Sequence, residues 1–177
     1  MTRFQGILSA IEADISSLPI EAIVNAANEP LIMGGGVDGA IRSKAGPEME
    51  VELRRIGRCP TGGAILTRGH RLPARFVIHT VAPVWNDGAA AREHAVRLLG
   101  ACYRHSLAVA RENGISEVAF PCLGTGIYGW PPGPAARIAM DAVVESLHEP
   151  NAFSQIVFCC FSAGDRMRYA ELIAARA

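Results

Sequence analysis

The residues best placed for chemistry lie close together in the chain. Asn25 and Asn28 sit in Ile23-Val24-Asn25-Ala26-Ala27-Asn28, and Gly34-Gly35-Gly36-Val37-Asp38-Gly39 follows. An apolar run of β type ends in two amides, and a triple-glycine loop brings one carboxylate to the same place. Consecutive glycines admit φ > 0 and let the backbone approach a ligand with its N–H groups exposed as donors. Amides, N–H donors and a single carboxylate suit an anionic sugar phosphate with free hydroxyls. No lysine occurs in the segment before Lys44, so a phosphate here would rest on the backbone.

A second glycine segment, Gly124-Thr125-Gly126-Ile127-Tyr128-Gly129, follows another apolar run. As a G-x-G-x-x-G pattern it resembles a dinucleotide fingerprint, but that motif needs a helix to start inside it. Pro131-Pro132-Gly133-Pro134 postpones the expected helix to about position 134, and no G-K-[ST] phosphate loop occurs. Two glycine loops after two strands make better sense as paired backbone clamps on a diphosphate, each N–H supplying partial positive charge. Asp38 has two readings: it holds or deprotonates a water near the ligand's reactive carbon, or it caps a helix starting at Gly39. Asn25 and Asn28 either face the ligand or close a turn. Asp14, at the end of the first strand, caps a turn or accepts a hydrogen bond from an exocyclic amine. Tyr128 and Phe161 follow strands, where aromatic rings stack on a base or pack in the core. His79 reads as a satisfied core histidine, and Trp85 and Trp130 as loop anchors.

These loops must be held by a scaffold, and the pattern describes it. Strands are expected at Gly6–Ala13, Ala22–Ala26, Ala64–Thr67, Phe76–Val81, Glu117–Pro121 and Gln155–Cys160. Several are continuous apolar runs, as for strands covered on both faces. Helices are expected at Pro47–Gly57, Ala89–Asn113 and Pro134–Leu147, and from Ser162, where Asp165 completes a capping box. Alternating strands and helices define a three-layer α/β/α domain, with ligands beyond the carboxyl ends of the strands.

The 177 residues suit one domain, and half of them are apolar. The 17 basic and 17 acidic residues cancel, which argues against charge-driven binding to nucleic acid or membrane. No apolar run approaches the ~18 residues that span a bilayer, and Met1–Gln5 lacks a leader-like apolar stretch. A soluble, cytoplasmic protein is expected. The five cysteines show no C-x-x-C pairing and are read as free thiols; no metal site is expected.

The chain resembles the macrodomains, and within them the MacroD-type ADP-ribosyl hydrolases. The resemblance rests on Ala13-Asp14-Ile15 with Leu18, Ala22 through Asn28, Gly34 through Ile41, Cys59-Pro60-Thr61-Gly62, Phe76 through Val81, and Gly124 through Gly129. It implies a single macrodomain over residues 1–177 with a central mixed sheet, and no cofactor. It further implies a hydrolase that removes ester-linked mono-ADP-ribose from acidic protein side chains and deacetylates O-acetyl-ADP-ribose. By the same resemblance Asp38 and Asn28 are catalytic, Asn28 orienting the distal ribose with Asn25 nearby. Asp14 and Ile15 would recognise adenine, with Phe161 beside it. Gly35, Gly36 and Val37 would form the first phosphate loop, and Gly124, Thr125, Gly126, Ile127 and Tyr128 the second. The partners implied are ADP-ribose, its esters and mono-ADP-ribosylated proteins, bound by a monomer. A non-catalytic ADP-ribose reader and an ADP-ribose-1″-phosphate phosphatase are the alternatives. Three positions depart from the family pattern: Met33 and Gly63 replace a glycine and a glutamate, and Arg42 replaces a histidine.

Overall fold

A computed structural model describes residues 6–148 and 153–176; Met1–Gln5 lie outside the described residues. Strands β1 (Leu8–Glu12), β2 (Ala22–Ala26), β3 (Ala64–Arg68), β4 (Phe76–Thr80), β5 (Glu117–Phe120) and β6 (Gln155–Cys160) form one sheet in the order β1-β6-β5-β2-β4-β3. All neighbours are parallel except β3 and β4, so the sheet is mixed. The expected strands are all present, with ends shifted by one or two residues.

Two apolar cores flank the sheet because successive strand side chains point to opposite faces. Ala22, Val24, Val118, Phe120, Ile156, Phe158 and Cys160 face one side; Ile23, Ala119, Val157 and Cys159 face the other. The first side is covered by α3 (Ala89–Glu112), α4 (Pro132–Ser146) and α5 (Ala163–Ala174). The second is covered by α1 (Gly36–Ala45) and α2 (Pro47–Ile56). The adjacent thiols of Cys159 and Cys160 thus enter different cores, and all five cysteines are free. Burial pushes the thiols of Cys59, Cys102 and Cys159 up to about 11, which keeps them as inert packing groups.

Two helix starts differ from the sequence expectation. α4 begins at Pro132 rather than Pro134, because the first turn needs no N–H from its residues and tolerates proline. α1 begins at Gly36, so Asp38 lies inside the first turn and Gly35 is the cap, without a side-chain capping bond. Ser162 caps α5 as expected, accepting from the Asp165 N–H at 3.2 Å. No helix among the described residues is long and apolar enough to cross a membrane.

Candidate active site

Strand order dictates what meets at the carboxyl edge of the sheet. Reading from β1 through β6 and β5 to β2, the chain leaves the sheet at Asp14, Phe161, the second glycine loop and the first glycine loop in turn. Three interstrand steps of ~4.8 Å spread these groups over about 14 Å. The result is a row of groups along this edge, with two glycine loops between a carboxylate at either end.

Asp38 lies at the β2 end and is 3 % exposed. Three donors converge on its carboxylate. Asn25 Nδ2 donates to Oδ1 at 2.6 Å, Arg42 Nε donates to the same oxygen at 2.9 Å, and the Gly34 N–H donates to Oδ2 at 2.6 Å. A buried carboxylate is tolerated only when paired and hydrogen-bonded, and this one is both. Its place in the first turn of α1 adds the positive end of the helix dipole.

Gly34 is where Asn28 joins the arrangement. A Cβ built there would lie 3.3 Å from Asp38 Oδ2 and 3.5 Å from Asn28 Nδ2, so both groups border one point of the loop. Asn28 also closes the turn: Nδ2 donates to the Ile32 carbonyl at 2.8 Å, and Oδ1 accepts the Ile32 N–H at 3.0 Å. One amide hydrogen remains for a ligand. Asn28 and Asp38, the two residues singled out as catalytic, are brought together.

Asn25 does not reach the surface at this edge, contrary to the ligand-binding role expected of it. It is fully buried on β2, opposite His79 in the register with β4. Its amide nitrogen can only donate, so the contact to His79 Nδ1 at 3.1 Å makes that ring nitrogen an acceptor. His79 Nε2–H then donates to Thr67 Oγ1 at 2.9 Å, and Thr67 donates to the Arg68 carbonyl. Asn25 therefore links Asp38 to the sheet interior. Desolvation, helped by the nearby Arg42 charge, lowers the His79 pKa to about 3, so the ring is neutral. The unfolded chain takes a proton below about 6.5 that the folded chain refuses until about 3. Stability therefore falls as pH drops through this window. Denaturant titrations at several pH values should show a shallower loss for His79→Gln than for the parent; equal slopes would contradict the assignment.

The first loop supplies the N-terminus of α1. Gly35 and Gly36 are exposed and Val37 half-buried, and no side chain caps the helix, so the N–H groups there are open to an anion. Gly39 has to be glycine, because a Cβ would come within 2.9 Å of the Gly34 carbonyl. The second loop is anchored by tryptophans. Gly124 (φ 81°) packs on Trp130, whose N–H donates to the Gly124 carbonyl at 3.0 Å and whose Nε1 donates to Pro83 O at 2.8 Å. Trp85 meets Trp130 edge to face at 4.9 Å, and its N–H holds the Tyr128 carbonyl at 2.8 Å. Thr125 bonds back to Cys122 O. The N–H groups of Gly126, Ile127 and Tyr128 have no backbone acceptor among the described residues. Ile127 is 95 % exposed and Tyr128 half-buried.

At the β1 end, Asp14 caps the 3-10 turn Ile15–Ser17 by accepting the Ser16 N–H at 3.0 Å, and it pairs with Lys44 at 2.7 Å. Lys44, the chain's only lysine, thus pairs at the β1 end of the row and not at the loops. Ile15 is buried in the core, leaving only its backbone for a ligand. Phe161 is 90 % exposed, so the core-packing reading of this ring is overturned. The Lys44 hydrogen bond, followed by those of Ser16, lowers the Asp14 pKa to about 2. Its ionised form stabilises the fold fully above its ordinary 3.8, and that contribution is lost as pH falls through about 2. In Lys44→Met, carboxyl titration followed by NMR should show Asp14 moving up toward its ordinary value; an unmoved Asp14 would contradict the pairing.

In the sequence Arg42 stands out only as a departure from the family pattern, although its i, i+4 spacing from Asp38 is the helix signal for a pair. His79 carried no signal of its link to Asp38, because strand register is not visible in the sequence.

The family model for the Macro domain matches residues 24–139. A macro domain-containing protein of Chlorobaculum tepidum is 48 % identical over 169 residues, covering 96 % of each chain. The O-acetyl-ADP-ribose deacetylase of Escherichia fergusonii is 41 % identical over 170 residues, covering 94 % of each. Among solved structures, the Oceanobacillus iheyensis macrodomain with ADP superposes with a TM-score of 0.89 at 35 % identity, covering 99 % of this chain and 95 % of that one. With this mixed sheet and these two glycine loops, the chain belongs to the Macro domain family.

Proposed function

We propose that this edge of the sheet binds ADP-ribose and that the protein hydrolyses its esters. The substrates are mono-ADP-ribose linked to glutamate or aspartate side chains, and O-acetyl-ADP-ribose. In this reading adenine lies between Asp14 and Phe161, and the Ile15 backbone contributes a donor. The diphosphate takes the N–H groups of Gly35, Gly36 and Val37 on one side and Gly126, Ile127 and Tyr128 on the other. Binding about two negative charges by N–H groups and a helix terminus is consistent with loops that lack lysine. The distal ribose reaches Gly34, where Asn28 donates its remaining hydrogen to a hydroxyl. Asp38 Oδ2 accepts from a water and holds it against the reacting carbon. Water adds to the ester and the bond between the acyl group and the ribose breaks, giving a carboxylic acid and free ADP-ribose. No step uses a metal.

The observation that carries this reading is the meeting of Asp38 Oδ2 and Asn28 Nδ2 at Gly34, beside an uncapped helix N-terminus. The relative named as an O-acetyl-ADP-ribose deacetylase supports it. A competing reading has its own observation: with three donors on it and 3 % exposure, Asp38 also suits a strut that shapes a non-catalytic binding site. Two assays separate them. Calorimetry should give a Kd for ADP-ribose of about micromolar, and O-acetyl-ADP-ribose should be converted to ADP-ribose and acetate. Binding without conversion of that ester or a glutamate-linked one would leave the strut and make the protein a reader. Conversion of ADP-ribose-1″-phosphate in preference to either ester would make it a phosphatase.

A further inference from the structure

The guanidinium of Arg42 is wholly buried, one helical turn after Asp38 on α1. Its Nε donates to Asp38 Oδ1 at 2.9 Å, while Nη1 donates to both oxygens of Glu50 on α2, at 2.8 and 3.0 Å. Burying an arginine is expensive, and two carboxylates offset that cost here. The planar fork of a guanidinium fixes direction as well as charge. With Arg42 and Asn25 both on Oδ1, rotation of the Asp38 carboxyl is locked and Oδ2 is left turned toward Gly34 and Asn28. Glu50, 30 % exposed, holds the other end of the guanidinium and so ties the orientation of Asp38 to α2.

We propose that Arg42 is a positioning residue, anchored by Glu50, that turns the Asp38 carboxylate so that Oδ2 faces the bound substrate. The proposal rests on the hydrolase reading above, in which Oδ2 holds the attacking water. Arg42 acts through Asp38 and touches no substrate. Its removal should therefore impair the chemical step and leave ligand binding in place.

The test is a set of variants assayed for kcat on O-acetyl-ADP-ribose and for ADP-ribose Kd by calorimetry. Arg42→Met should lower kcat by about 100-fold, the scale of a misplaced reacting group, with Kd changed less than about threefold. In the Asp38→Asn background the same substitution should cause no further loss, since a group acting through Asp38 has nothing left to act on. Glu50→Gln, on the half-exposed side, keeps the fold if Arg42→Met does not, and should lower kcat several-fold at unchanged Kd. Parental kcat in Arg42→Met or in Glu50→Gln, with Asp38→Asn impaired, overturns the positioning role and leaves the hydrolase reading standing. Parental turnover by Asp38→Asn overturns both. Independent, multiplying losses from Arg42→Met and Asp38→Asn would also overturn the proposal, since they would show a structural effect.

Discussion

Asp38→Ala is expected to cut ester hydrolysis by at least about 100-fold while ADP-ribose still binds. The carboxylate is the group at Gly34 that can accept a hydrogen bond from a water beside the distal ribose; Asn28 there offers a donor. The binding groups, by contrast, are backbone N–H donors on two loops whose anchors lie elsewhere: Trp130 and Trp85 for the second, and the start of α1 for the first. The variant will also lose stability, because Arg42 keeps Glu50 but loses the more deeply buried of its two partners; breaking a buried pair costs about 3–5 kcal/mol. Asp38→Asn keeps the volume and serves as the companion if the alanine variant is too unstable to assay. Turnover at the parental rate in a folded variant would remove Asp38 from the mechanism.

The second large effect is expected at Gly124. Its φ of 81° is one that L side chains rarely adopt, and an added Cβ would lie 2.6 Å from Trp130 Cδ1. Neither conflict can be relieved cheaply, since Trp130 is 2 % exposed and bonded to Pro83. Left-handed strain and overpacking together should destabilise Gly124→Ala by about 2–5 kcal/mol. The loop that carries Gly126–Tyr128 would shift, weakening ADP-ribose binding by at least about tenfold. Gly126→Ala is the matched control: its Cβ meets nothing within 4 Å, so stability should stay within about 0.5 kcal/mol. Thermal melts and calorimetry on the pair give the comparison, and equal stability of the two variants would contradict the packing argument.

The sheet was legible because its strands are covered on both faces, so Phe76–Thr80 and Gln155–Cys160 read as apolar runs bounded by loops. The ends of helices were less so. Proline suits a first turn as well as a stop, and the residues from Pro131 to Pro134 hid the start of α4. A cap was one of the two readings open to Asp38 because aspartate is favoured there; it sits within the first turn, where the dipole favours it equally. The glycine loops and the pairing of Asn28 with Asp38 could be inferred from composition and resemblance. The network behind them could not: Asn25 meets His79 only through the register of β2 and β4, and Arg42 meets Glu50 only through the packing of α1 on α2. The choice between the two readings of Phe161 was hidden for a related reason. An aromatic ring after a strand is ordinarily buried, and its exposure depends on where the chain turns after β6.

The central claim is that this site hydrolyses the ester as well as holding its ADP-ribose. The most direct test is a single-turnover assay of the parent protein on a glutamate-linked mono-ADP-ribosylated protein. Time-resolved release of intact ADP-ribose, leaving the unmodified carboxylate, is the predicted result. Retention of the label at saturating protein, with ADP-ribose binding intact in the same preparation, would contradict it.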